Sequence, residues 1–211
     1  MRAIVLAAAL SAAAIPAANA VVVLNFGQVS GSNTITATPN GGDTATTISG
    51  VNVAINITQD LGGFLGPAIL NLTANSADAA TPVGTSVLQH YSGSWQITSG
   101  LNGTGTNYLS GTFTDAVFGT GPSLTLSVGA PPDSITTTSD QVPSIDLGLP
   151  EAISLSFTNV QPSVGIAGST LAGFTSAIAG NFSATPVPEP AGLAILGTGL
   201  LGLTLLRRRH G

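Results

Sequence analysis

His90 is the one histidine lying away from the ends of this 211-residue chain, and so the natural place to look for acid–base or nucleophilic chemistry. A Ser-His-Asp set needs a hydroxyl and a carboxylate converging on the imidazole. Hydroxyls are so common here that one could be drawn with any of them, and no G-x-S-x-G turn marks a nucleophile. Zinc fails on inventory, since one histidine and no cysteine do not supply its usual tetrahedral ligand sets. The densest acidic stretch, SDQVPSIDLGLPE, holds Asp140, Asp146 and Glu151. Such oxygens suit calcium, but the D-x-D-x-D-G loop is absent. Turn-capping or solvated acids are the preferred reading, with calcium as the alternative. A carboxylate pair for glycoside hydrolysis would have to join an aspartate to Glu151, the only glutamate before the C-terminal segment. Trp95, Tyr91 and Tyr108 could stack on sugars, although such rings ordinarily build a β core.

The elements that must position these residues are strands. Apolar residues recur with period two in Val51, Val53, Ile55 and Ile57, which the alternation places on one face. Leu124, Leu126 and Val128 repeat the pattern, as do Ile153, Leu155 and Phe157. Further strands are predicted around 21–29, 68–73, 87–98, 108–118 and 174–184, with a short helix possible near 76–80 or 165–173. Gly/Pro/Asn clusters such as 39–43, 101–105 and 129–133 separate them. Along 87–98, Val87, Tyr91, Trp95 and Ile97 share one parity and are assigned to the core. His90 falls with Ser92, Ser94, Gln96 and Thr98 on the polar face. The expected fold is all-β, an antiparallel β-sandwich or jelly-roll-like body.

Charge narrows the function classes. There is no lysine, and the four arginines are Arg2, Arg207, Arg208 and Arg209, all at the chain ends. Between them lie Asp43, Asp60, Asp78, Asp115, Asp133, Asp140, Asp146 and Glu151 with no arginine or lysine to pair with. A body without cations cannot neutralise phosphates, so no nucleic-acid partner is expected. Any ion pair within the body must run through His90. The absence of cysteine leaves apolar burial and hydrogen bonds to hold an exported domain together. Sheet edges also lack lysine, their common guard against edge-to-edge pairing. Asp and Pro can serve as guards instead; the sharper reading is that edge association is tolerated or useful outside the cell.

The two ends read as addresses. Residues 1–20, MRAIVLAAALSAAAIPAANA, combine Arg2, an apolar run, a breaker at Pro16 and the small pair Ala18 and Ala20. That order is a secretory signal peptide, with signal peptidase cutting after Ala20. A β body is assigned to 21–183 and a Pro-rich linker to 184–190. Residues 191–206 are assigned to a single transmembrane helix and 207–211 to a basic cytoplasmic tail.

Val187, Pro188, Glu189 and Pro190, the Gly/Leu-rich run and the cluster Arg207, Arg208 and Arg209 follow one another in order. Together they resemble the PEP-CTERM sorting signal of Gram-negative bacteria. The resemblance covers the last 25 or so residues. It implies Sec export, transient inner-membrane retention through the arginines, and recognition of Val187–Pro190 by an exosortase. It also implies delivery to the cell surface or extracellular matrix, in association with exopolysaccharide and biofilm. The chain is then the substrate of that enzyme, and the leading expectation is a non-enzymatic secreted surface or matrix protein. The alternatives are a carbohydrate-binding module for exopolysaccharide and, third, a secreted hydrolase.

Overall fold

The computed structural model describes residues 20–31, 33–41, 45–76, 78–84, 86–119, 123–128, 134–142 and 147–186. The chain forms β1 (Val21–Gln28), β2 (Ile35–Pro39), β3 (Thr46–Asp60), β4 (Gly66–Asn75), β5 (Thr81–Val83) and β6 (Ser86–Thr98). A 3-10 turn at Leu101–Gly103 leads into β7 (Asn107–Gly119), β8 (Ser123–Val128), β9 (Ser134–Thr138) and β10 (Leu147–Gln161). A small hairpin of β11 (Ile166–Ala167) and β12 (Thr170–Leu171) precedes β13 (Phe174–Pro186). Every strand expected from period-two patterning is present. The stretch 165–173 forms the β11–β12 hairpin in place of a helix.

All pairings among the described residues are antiparallel. They run in the order β6-β4-β3-β1-β13-β10-β8-β7, and β7 returns to β6, so the circuit closes on itself. The body is sandwich-like, with its two layers joined by long strands that take part in both.

Three of the register slips in these long strands each carry an Asx residue with positive φ. Asn52 (φ 54°) sits between Gly50 and Val53 on β3, Asn159 (φ 54°) between Thr158 and Gln161 on β10. Asp115 (φ 63°) sits at the slip of β7 against Tyr91 and Gly93. Asn and Asp tolerate the left-handed region better than other L-residues, which suits them to bulges. The bulge at Asn52 corrects one expectation. Val53, Ile55 and Ile57 are buried, but Val51 is 60% exposed, because the extra residue flips the parity before it.

Aromatic rings join the layers. Trp95 on β6 stacks on Phe182 of β13, a strand it does not pair with, at 4.9 Å between ring centres, and on Phe113 at 6.1 Å. Phe118, Phe157 and Phe174 form a second cluster, about 6 Å apart. Gly111 faces Trp95 across the β6–β7 pair, and a Cβ there would meet the indole at 2.7 Å. The glycine is what lets the ring lie flat over the neighbouring strand.

A buried polar network pins the β11–β12 hairpin to this core. Gln89 is fully buried; its Nε2 donates to the Asp78 carbonyl (2.6 Å) and to Thr170 Oγ1 (3.2 Å). Its Oε1 accepts from the Tyr91 hydroxyl (2.8 Å) and the Leu171 N–H (3.1 Å). Thr46 Oγ1 shares a short hydrogen bond with Thr170 Oγ1 and donates to the Leu171 carbonyl at 2.9 Å. Burial raises the Tyr91 phenol above its ordinary pKa, opposed by the Thr46 hydroxyl.

Both chain ends of the body are central strands. β1 begins at Val21, immediately after the predicted signal cleavage site, and pairs with β13 from Val21↔Ala184. β13 continues to Pro186, past the body's expected end at 183. Residues 184–186 of the expected linker thus belong to this strand, Pro186 included. Among the described residues only β10 flanks Pro186, through Leu147, so the missing N–H interrupts no second ladder there. Residues 1–19 of the expected signal peptide (1–20), the motif Val187–Pro190, the apolar run 191–206 and Arg207–Arg209 lie outside the described residues. Among the described residues no helix is long and apolar enough to cross a membrane.

Candidate functional site

His90 stands on the outer face of β6, as its parity predicts, with its side chain 48% exposed. The bulge at Asp115 turns that carboxylate toward it, and Asp115 Oδ1 lies 2.5 Å from His90 Nδ1. This is the only ion pair among the described residues. The carboxylate fixes one ring nitrogen, and no hydroxyl of a described residue bonds the imidazole. The pair orients a solvated histidine and brings no nucleophile to it.

The acidic stretch separates. Asp140 Oδ2 accepts the Asn107 N–H at 2.7 Å, while the Asp140 N–H donates to the Asn107 carbonyl at 2.8 Å. It thus closes the approach to β7 as a turn-capping acid. Glu151 opens β10's pairing with β8 and is half-buried beside Val23, Leu109, Ile135 and Phe182. Its Oε2 has no hydrogen-bond partner among the described residues, and desolvation raises its pKa. Asp146 lies outside the described residues, and no three His, Cys, Asp or Glu among those described are grouped to hold a metal.

The chain's ten aromatic side chains are all described, and none is exposed. Trp95, Tyr91 and Tyr108 are core residues, and the half-buried Phe64 stacks on Tyr108 at 4.2 Å. The outside offers no ring platform for a sugar.

What the outside offers instead is rows of hydroxyls and amides with few charges among them. One row crosses six strands in register: Thr36, Ser49, Thr73, Ser94, Thr112 and Thr136. Parity explains it, because every one of these positions alternates with a core residue. Sequence reading identified the polar face of 87–98 but not its continuation, since register is invisible in a single strand's pattern.

An open groove of about 550 Å³ lies between the loop after β1 and the facing parts of β10 and β13. Gln28, Ser30, Thr34, Thr158, Asn159 and Thr175 line it, and no charged side chain does. Gln28 braces the wall: its Oε1 accepts the Ile178 N–H and its Nε2 donates to the Asn33 carbonyl, both at 2.9 Å. Groups of this kind hydrogen-bond neutral polar ligands and supply no general acid or base.

Residues 186–209 match the PEP-CTERM protein-sorting motif. The chain thus carries that motif, which supports export with membrane-associated, exosortase-dependent sorting. No curated protein and no solved structure is significantly similar to the chain.

Proposed function

We propose that this is a non-enzymatic surface or extracellular-matrix protein, a passenger that an exosortase releases from its membrane-sorting tail. The observation that carries this reading is an adjacency. The motif's first residue, Pro186, is also the last residue of β13, the last strand among the described residues. Pro188 and Pro190 have no N–H to give a sheet ladder, so the sequence beyond Pro186 suits recognition by a protease. A body stabilised by apolar burial, with no lysine or arginine and, among the described residues, no nucleophile brought to His90, suits a structural role outside the cell.

Localisation tests it. Cells with and without exosortase should both export the chain, but only the first should carry it in the surface or matrix fraction. Equal surface delivery without exosortase would overturn the assignment. A glycan-binding module for exopolysaccharide is the second reading, favoured by the uncharged groove and weakened by the lack of any exposed ring. Saturable, sugar-specific binding that is lost on Asn159→Ala, at the groove wall, would raise it to first place.

A further inference from the structure

From the β9 edge we infer an interaction surface for a second copy of this chain, formed by antiparallel pairing of β9 with its own equivalent. Among the described residues β9 is the terminal strand of the sheet and pairs with β7 alone. Its register with β7 is unbroken from Ser110↔Thr138 to Thr114↔Ser134. Natural edge strands are usually blunted by a charge, a proline or a bulge. Ser134-Ile135-Thr136-Thr137-Thr138 has none of these and is rich in β-favouring residues.

The backbone is set for pairing. The Thr136 carbonyl is turned toward Gly111 on β7, against the position a Cβ would take there. Alternation along an antiparallel strand then turns the N–H and C=O of Ile135 and Thr137 to the open side. A two-fold axis through Thr136 sets each Ile135 opposite the other copy's Thr137, so these groups bond one another.

The side chains are self-complementary in the same register. Across β7 and β9 the hydroxyls already meet in three pairs: Ser110–Thr138 at 2.8 Å, Thr112–Thr136 at 2.7 Å and Thr114–Ser134 at 3.0 Å. About the two-fold, Ser134 faces Thr138, Thr136 faces Thr136, and Thr138 faces Ser134. The sequence of pairs, Ser–Thr, Thr–Thr, Thr–Ser, is the one β9 makes with β7. Exposed Ser134, Thr136 and Thr138 would extend the hydroxyl rows across the junction, with no charge within the strand to repel an identical copy. A foreign strand would need the same pattern by coincidence; a second copy has it by symmetry. One five-residue strand is a small contact, so the association is weak and concentration-dependent.

The chain has no cysteine, which makes the test clean. The full chain carrying Thr136→Cys, in mild detergent under an oxidant, should form a disulfide-linked dimer roughly tenfold faster or more than Thr73→Cys, exposed mid-sheet on the same face. In sedimentation the unmodified chain should rise in mass with concentration, and Thr136→Lys, which sets two cations face to face, should abolish that rise without lowering Tm. Equal crosslinking at both positions, or a mass rise that survives Thr136→Lys, would overturn the proposal. The second outcome would place any association elsewhere, the apolar tail included.

Discussion

The folded body and the segment that follows it carry information in opposite ways. In the body the meaning of a residue depends on what lies across the sheet from it. Trp95 matters because Phe182 and Gly111 face it, and Gln89 because the hairpin at Thr170 and Leu171 needs its amide. In the C-terminal segment the order of residues is itself the signal, from Val187 through Pro190 to three arginines. The body has eight acids and no lysine or arginine, whereas the tail holds three of the chain's four arginines. Destination and stability are therefore separable, and substitutions should disturb one readout without the other.

The largest separation is expected in the tail. Pro188→Ala with Glu189→Ala should abolish exosortase-dependent processing, measured by immunoblot, while the melting temperature of the body stays unchanged. A folding defect in that variant would mean the tail is part of the domain. Next comes the core: Trp95→Ala should destabilise by about 3–5 kcal/mol, read as a lower denaturant midpoint. A change under 1 kcal/mol would show that the indole does not bridge the layers.

The buried amide ranks third. Gln89→Leu leaves the Leu171 N–H and the Tyr91 hydroxyl without their acceptor, which should cost about 2–3 kcal/mol. The loss should concentrate in faster hydrogen exchange at 166–171. Uniform acceleration across the sheet would contradict a local pinning role.

The smallest effect is electrostatic. Desolvation holds the Glu151 carboxyl above the ordinary glutamate range, so the folded chain binds that proton more tightly than the unfolded one. The contribution to stability is full below the ordinary glutamate pKa and is lost as pH rises through the raised value. Glu151→Gln should flatten that fall and raise Tm at neutral pH. A lower Tm at neutral pH would show that the ionised carboxylate has a favourable partner.

The strands that alternate cleanly over six or more residues were legible in the sequence, because period two survives whatever the strand pairs with. The short strands were not. β2 ends in Pro39 within a turn cluster, and β9 follows directly on another, so local composition reads as loop in both. Val51 was placed on the wrong face because a bulge changes parity without altering the apolar pattern. The ion pair of His90 was legible as the one available to the body. Its partner was not, since only the left-handed turn at Asp115 brings that carboxylate across. Gln89 shares the parity of Tyr91 and Trp95, which marks it as inward-facing. What it bonds depends on a hairpin eighty residues away. The sorting motif needed no such context and was legible from the order of its residues.

The central claim is that this chain is an exosortase substrate whose sorting signal begins at the last residue of β13. It is tested most directly by the C-terminal mass of the chain from otherwise identical cells with and without exosortase. The account predicts loss of the apolar run and Arg207–Arg209 only where the enzyme is present. An intact C-terminus in both cells, or the same truncation in both, would contradict it.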